Sequence, residues 1–188
     1  MVEERFGVRP TDGGAHVGLG TRNALLALGG TTYLEVIGPD LDQETPKGPR
    51  PFGIDDLSEP KLVTWASPSS DLDGVLARAQ GAGVDLGKAF DMSRRKPDGE
   101  LLEWRLTMRS WTRSVEPIPF FIDWGRTPSP ARTLKAGVHL SAFYVFHPED
   151  DLLKKAYAGL GFPLKAEKHS DAKLEISVET STGLVTLS

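Results

Sequence analysis

A repeated segment places the strongest constraint on how this chain can fold. Residues 61–84 (KLVTWASPSSDLDGVLARAQGAGV) align without gaps on residues 139–162 (HLSAFYVFHPEDDLLKKAYAGLGF). Each copy reads as a strand, a turn, a helix that begins with acidic residues, and a Gly-x-Gly ending. The identity between the copies is low, so the shared order of elements carries the argument. Further strand-like runs follow each copy, and the sequence therefore predicts an α+β fold of repeated βαβββ modules.

Periodicity places the individual elements. Amphipathic spacing predicts helices at 71–82 and 151–160, and Ser70 with Asp73 is interpreted as the capping box of the first helix. Short apolar runs bounded by turn residues predict strands, at 23–28, 32–37, 61–66, 101–108, 119–124, 139–146, 174–180 and 184–188.

The start of the chain reads as an incomplete module. Residues 2–8 (VEERFGV) resemble the end of a module helix, with Gly7 in the place of Gly83 and Gly161. The predicted domains are therefore a first module at 1–40 that lacks its opening strand and most of its helix, a second at 61–125 and a third at 139–188, with linkers at 41–60 and 126–138. We expect a truncated start, with a His-bearing strand encoded upstream. The unpaired sheet edge that this leaves predicts a homodimer.

Composition excludes several classes of function. The net charge is −4 without a basic excess, which argues against nucleic-acid binding. The absence of cysteine excludes disulfides and a thiol nucleophile. No apolar run has the length of a membrane span, and the charged N-terminal residues do not resemble a signal peptide, so we expect a cytoplasmic protein that does not bind membranes. Neither a Ser/His/Asp triad pattern nor an HExxH motif occurs.

Glu35 is the strongest candidate for a functional group. In the strand predicted at 32–37, it shares one face with Tyr33 and Ile37. A carboxylate among apolar side chains needs a metal ion, an arginine or a hydrogen-bond donor as its partner. Two interpretations stay open: a functional acid, or a strand-end acid that an arginine neutralises or water solvates.

A glycine-rich run precedes that strand. Residues 13–23 (GGAHVGLGTRN) lack the Gly-Lys-Ser/Thr of a phosphate-binding loop and the third glycine of a dinucleotide-binding fingerprint. The glycines are better explained by a bulge or a close approach of the backbone. His16 is accessible within the run, although a lone histidine is more often a hydrogen-bonded turn residue. Asn23 is predicted to point inward.

The later modules add fewer candidates. Arg94 shares a strand face with Phe90 and Met92 and can pair with a ligand carboxylate or with Glu35, although a surface role fits equally well. Trp124 is predicted to be inward-facing, either as core or as a substrate contact. His139 is a weaker candidate for a ligand.

Three segments resemble the glyoxalase-like domain proteins of the vicinal oxygen chelate superfamily. They are residues 13–40 (GGAHVGLGTRNALLALGGTTYLEVIGPD), 94–104 (RRKPDGELLEW) and 118–125 (IPFFIDWG), so the resemblance covers roughly residues 2–125. It implies modules that curl open mixed sheets around a cavity. In that superfamily, a divalent ion held by His, Glu or Gln often binds vicinal oxygens of a substrate there.

The resemblance transfers only in part to these residues. Glu35 matches the family's acid on the last strand of a module, but the family's histidine on the opening strand has no counterpart here. The metal candidates are Glu35, His16 and His139, with an ion of unknown identity.

Three functional hypotheses follow. The leading one is a divalent-metal-dependent lyase, isomerase or dioxygenase acting on a small oxygenated metabolite, with Glu35 and His16 as catalytic residues and Asn23, Tyr33, Arg94 and Trp124 as substrate contacts. The second is a non-catalytic small-molecule-binding protein with an aromatic pocket of Tyr33, Phe90, Trp104 and Trp124. The third is a dimeric scaffold with a filled pocket.

Overall fold

Eleven strands in two sheets and three helices make up the part of the chain that the structure describes. The computed structural model describes residues 2–96, 98–109, 115–134 and 137–188. The helices are α1 (Val2–Phe6), α2 (Leu72–Gly81) and α3 (Asp150–Leu160), with short 3₁₀ segments at Pro51–Asp56, which is kinked at Phe52 and Gly53, and at Pro130–Arg132. The strands are β1 (Thr11–His16), β2 (Thr21–Ala27), β3 (Tyr33–Pro39), β4 (Ala66–Pro68), β5 (Lys88–Arg95), β6 (Leu101–Met108), β7 (Phe120–Asp123), β8 (His139–His147), β9 (Ala166–Lys168), β10 (Lys173–Thr180) and β11 (Gly183–Leu187). None of the helices in these residues is long and apolar enough to span a membrane.

The first two modules form one curled sheet of seven strands. Its order is β3-β2-β1-β5-β6-β7-β4, and all pairs are antiparallel except β4 with β7. The modules join where β1 pairs with β5, which makes His16 and Arg94 cross-strand neighbours. The predicted α+β class, with a mixed sheet curled around a cavity, is confirmed.

The third module keeps the predicted order of elements but arranges its strands differently. In the second module the opening strand β4 lies at the sheet edge, beside the last strand β7. In the third, the opening strand β8 lies inside the sheet, parallel to β9 and antiparallel to β10, in the order β11-β10-β8-β9. The alignment of the two copies therefore predicts the strand–helix unit and not the complete sheet.

A glycine in the left-handed conformation follows each helix. The φ angles are 68° at Gly7, 70° at Gly83 and 80° at Gly161. Such a glycine ends a helix because it accepts a positive φ without the clash that a Cβ causes. The three positions are those that the sequence comparison aligned, so the short α1 ends as α2 and α3 do.

The second sheet covers the outer face of the first module. Leu26 and Leu28 from the β2 region pack with Phe6 of α1 and with Ile176 and Val178 of β10. The amide of Leu140 also donates to the carbonyl of Leu28 at 2.8 Å. Apolar cover for this face thus comes from α1 and the C-terminal sheet. Strand β3 forms one edge of the seven-stranded sheet, where it has only β2 as a strand partner among the described residues.

Two local predictions are wrong. Helix α2 is capped by Asp71, whose side chain accepts a 2.9 Å hydrogen bond from the amide of Gly74, and not by the Ser70–Asp73 capping box. The strand predicted at 61–66 begins only at Ala66, where the regular ladder with β7 starts. Before it, the chain has isolated backbone contacts, such as Glu116 N to Val63 O at 2.7 Å, and isolated contacts do not make a strand.

Candidate functional site

A partly open cavity lies on the concave face of the seven-stranded sheet. It encloses about 70 Å³. Strands from both modules line it because alternate residues of each strand face the same side of the sheet. The lining residues are His16, Leu19, Asn23, Leu25, Tyr33, Glu35, Ile37, Pro51, Phe52, Met92, Arg94, Trp104, Leu106, Met108, Phe120, Ile122, Trp124 and Pro130.

A β-bulge in the glycine-rich run leaves room for side chains in one wall of this cavity. The register between β1 and β2 shifts between Asp12 and Gly14, so Gly13 is the extra residue. A Cβ at Gly13 would lie 2.1 Å from both Arg94 Nη1 and Asn23 Oδ1. The missing side chain therefore leaves the space in which these two groups meet. The predicted explanation of the run, a bulge with a close approach, is confirmed.

Three side chains form a hydrogen-bonded chain across that wall. Arg94 Nη1 donates to Asn23 Oδ1 at 2.8 Å, and Asn23 Nδ2 donates to Glu35 Oε1 at 2.5 Å. Arg94 is 3% exposed and Asn23 5% exposed. Because buried polar groups need partners, each group in the chain supports the next one. Asn23 uses its amide oxygen towards the cation and its amide nitrogen towards the anion.

His16 completes the surroundings of Glu35. It is buried at the end of β1, where its Nδ1 lies 2.9 Å from the hydroxyl of the fully buried Thr21. Its Nε2 lies 3.5 Å from Glu35 Oε1. The Glu35 side chain keeps 31% of its surface exposed. The carboxylate is thus held from the protein side and is accessible to a molecule in the cavity.

The neighbouring groups keep Glu35 ionised. Burial alone would raise the pKa of the carboxyl, but the hydrogen bonds and charge of His16, the hydrogen bond from Asn23 and the charge of Arg94 together lower it. Burial and the negative charge of Glu35 raise the pKa of the Tyr33 hydroxyl. At neutral pH the polar wall therefore presents a carboxylate beside a neutral phenol.

The opposite wall is largely apolar and includes several aromatic side chains. The rings of Trp104 and Trp124 pack with centroids 5.1 Å apart and an interplanar angle of 42°. The indole Nε1 of Trp104 is buried and has no hydrogen-bond partner among the described residues. Phe52, from the segment predicted as a linker, also lines the cavity and has a left-handed backbone with a φ of 60°.

The fold brings together six of the seven predicted site residues, namely His16, Asn23, Tyr33, Glu35, Arg94 and Trp124. It does not bring His139 to them, because this residue is exposed on the second sheet, and a Cβ at Gly29 would lie 2.4 Å from its Nδ1. Phe90, an expected member of the aromatic pocket, is 47% exposed and lies outside the cavity lining. Pro51, Phe52 and Pro130 were missed because loop residues carry no periodicity that points to a face.

The donor set fits a divalent ion poorly. No group of three or more His, Asp or Glu side chains converges in residues 2–96, 98–109, 115–134 and 137–188. Glu35 and His16 supply two donors, whereas a catalytic zinc site has three protein ligands. The Arg94 guanidinium, which acts on Glu35 through its charge, also opposes a second cation. The residues described here do not make a metal site by themselves.

Comparison with known proteins agrees with this architecture. A sequence profile of the glyoxalase-like domain matches residues 1–161. A search of curated proteins gives no match. The crystal structure of a hypothetical protein from Staphylococcus aureus is similar in fold, with a TM-score of 0.65 and 17% identity over 88% of this chain and 79% of that one. The profile covers both modules of the curled sheet and reaches to the end of α3, so the chain belongs to the glyoxalase-like domain family.

Proposed function

We propose that this protein binds a small molecule with a flat apolar part in the cavity of the curled sheet, and that Glu35 accepts a hydrogen bond from it. The observation that carries the proposal is the contrast between the two walls. One is largely apolar and includes Trp104, Phe120 and Trp124, and the other presents a carboxylate that His16 and Asn23 already hold in place. A mostly apolar pocket with a few convergent polar groups is typical of small-molecule sites.

Binding has more support than proton abstraction. A general base works best when its pKa lies near the working pH. The surroundings of Glu35 lower the pKa of its carboxyl, so that it is a weak base but stays ionised and can accept a hydrogen bond at neutral pH. Preorganised partners of this kind favour recognition, because the acceptor keeps one orientation before the ligand arrives.

A metal-dependent lyase, isomerase or dioxygenase stays a prediction that the family resemblance implies. The described residues offer two donors where three are expected, so this hypothesis has less support than binding. We assign no step to a metal ion.

A thermal-shift screen tests the proposal. The purified full chain is heated with small aromatic compounds, and separately with Mn²⁺, Zn²⁺ or Mg²⁺, each with and without a chelator. We expect aromatic compounds to raise the Tm with or without the chelator, because ligands that bind only the folded state stabilise it. Glu35→Gln should reduce the shift for compounds with a hydrogen-bond donor. Stabilisation by a divalent ion alone, lost in Glu35→Gln, would favour the metal-dependent alternative.

A further inference from the structure

We infer that Asn23 is a positioning residue that keeps Glu35 and Arg94 apart, so that the cavity selects a neutral, planar ligand with a hydrogen-bond donor beside an acceptor, such as a carboxamide or a lactam. The inference rests on the proposed binding function and specifies the chemistry of the ligand's polar edge.

The two charged groups meet through an amide. Arg94 Nη1 contacts Asn23 Oδ1 at 2.8 Å, and Asn23 Nδ2 contacts Glu35 Oε1 at 2.5 Å. A direct arginine–carboxylate pair is frequently bidentate and then uses both carboxylate oxygens. With Asn23 between them, both contacts to Glu35, from Asn23 and from His16, are made at Oε1.

This arrangement leaves an acceptor and donors available to a ligand. No hydrogen bond from any residue that the structure describes reaches Oε2 of Glu35, which lies on a side chain with 31% of its surface exposed. The guanidinium of Arg94 has five N–H donors, and its hydrogen bond to Asn23 uses one of them. Both residues line the cavity. A ligand edge with an N–H beside a C=O complements this pair.

The charges of the wall favour a neutral ligand. Glu35 and Arg94 carry opposite charges that cancel, and His16 adds a charge only when it is protonated. The apolar side chains that line much of the cavity, among them Leu106, Met108 and Ile122, replace little of the water around an ion. A cation would lie near Arg94 and an anion near Glu35, and either would lose water without full compensation.

Gly13 maintains the spacing. A Cβ at this position would displace Arg94 Nη1 and Asn23 Oδ1, the two atoms of the first hydrogen bond. Gly38, in β3, has no atom within 4 Å of such a Cβ and no positive φ. Gly13→Ala is therefore a disruptive substitution, and Gly38→Ala is its matched control in the same sheet.

Calorimetric titration of the full chain with four monosubstituted benzenes tests the inference. Benzamide has the donor and the acceptor, acetophenone only the acceptor, benzamidine is a cation and benzoate an anion. We expect benzamide to bind about tenfold or more tightly than acetophenone, because a hydrogen bond to a charged group is lost in acetophenone. Benzamidine and benzoate should bind more weakly than benzamide.

Two variants test the role of Asn23. In Asn23→Leu, Arg94 and Glu35 are expected to close into a direct pair, so the affinity ratio of benzamide to acetophenone should fall close to one while acetophenone still binds. Gly13→Ala should lower the same ratio and Gly38→Ala should leave it unchanged, which provides a test that does not depend on the folding of Asn23→Leu. A purely structural role would weaken both compounds equally.

The outcomes separate this inference from the proposed function. If none of the four compounds binds and no aromatic compound raises the Tm, the proposed function fails and the inference fails with it. Binding of aromatic compounds with benzamidine or benzoate as the tightest, or with equal affinities for benzamide and acetophenone, overturns only the inference. An unchanged ratio in both Asn23→Leu and Gly13→Ala overturns the positioning role.

Discussion

Arg94 and Asn23 are 71 positions apart and belong to different modules, yet Arg94 Nη1 donates a 2.8 Å hydrogen bond to Asn23 Oδ1. Both side chains are buried. An unpaired guanidinium in such surroundings would be strongly destabilising, so the contact couples the cavity wall to the junction between β1 and β5. Gly13 permits the contact because it has no side chain to occupy that space.

The lack of space around Gly13 predicts that adding a single methyl group at this position destabilises the fold. Gly13→Ala should lower the free energy of unfolding by about 1–3 kcal/mol, because the added Cβ must displace the Arg94–Asn23 pair. Gly38→Ala should change it by about 0.5 kcal/mol or less, since nothing lies within 4 Å of the added atom. Urea unfolding measures both. Equal effects would show that Gly13 is not required for space.

The lowered pKa of Glu35 predicts a pH dependence of stability. Below its usual value of 4.5, the carboxyl takes up a proton in the unfolded chain while the folded chain keeps it ionised. Its contribution to stability is therefore present above that value and is lost as the pH falls through the folded pKa. His16, Asn23, Arg94 and Tyr33 are the groups that face it.

Urea unfolding near neutral pH and at about pH 3.5 measures this effect. The free energy of unfolding of the wild type, relative to Glu35→Gln, should decrease at the lower pH. A difference between the two proteins that is independent of pH would contradict the assigned surroundings of Glu35.

The aromatic wall predicts where ligands bind. Trp124→Leu removes the ring packed against Trp104 and should weaken the binding of aromatic compounds by about three- to tenfold, as the loss of an aromatic contact suggests. Phe90→Leu is the control, because Phe90 is exposed and outside the cavity lining. Calorimetric titration reports both affinities. A larger loss in Phe90→Leu would place the ligand elsewhere.

The backbone conformation of Phe52 predicts that a glycine variant at this position is more stable than an alanine variant. With a φ of 60°, this residue has a conformation that disfavours a Cβ by about 1–2 kcal/mol. Both Phe52→Ala and Phe52→Gly remove the ring from the cavity. Phe52→Gly should nevertheless be the more stable of the two by about 1 kcal/mol, although glycine usually destabilises folded proteins. Thermal unfolding compares them, and the reverse order would contradict this loop conformation.

The free edge of β3 leads to a prediction about assembly. Among the described residues this strand pairs only with β2, and an unpaired edge can accept a strand from another chain. We propose a homodimer formed through β3. Light scattering during size-exclusion chromatography should give a mass that rises with protein concentration. A monomer mass throughout would contradict the proposal.

Sequence patterns were most informative about features that depend on residues close together in the chain, such as helix ends and strand faces. The aligned copies predicted two helices, and the aligned Gly7, Gly83 and Gly161 have positive φ angles because a left-handed residue after the last turn is a common helix ending. Alternation in β3 predicted that Glu35 shares a face with Tyr33 and Ile37, and all three line the cavity. The capping residue of α2 was misassigned because Ser70 and Asp71 are adjacent and both can cap a helix.

These patterns did not predict which side chains from distant parts of the chain contact each other. The sequence indicated that Glu35 needs a partner and that Arg94 was a candidate, but not that Asn23 would lie between them. It also grouped His139 with the potential ligands, whereas the fold places this residue on the second sheet.

By itself, then, the sequence determined the module type, the two longer helices, most of the strands and which side chains share a strand face, because these depend on residues a few positions apart. Only the tertiary structure decided that β1 pairs with β5, that β8 lies inside its sheet, and that the loops at Pro51–Asp56 and Pro130–Arg132 contribute to the cavity wall. The physical reason is that strand pairing and burial depend on contacts between distant segments, which similar alternating patterns allow in more than one arrangement.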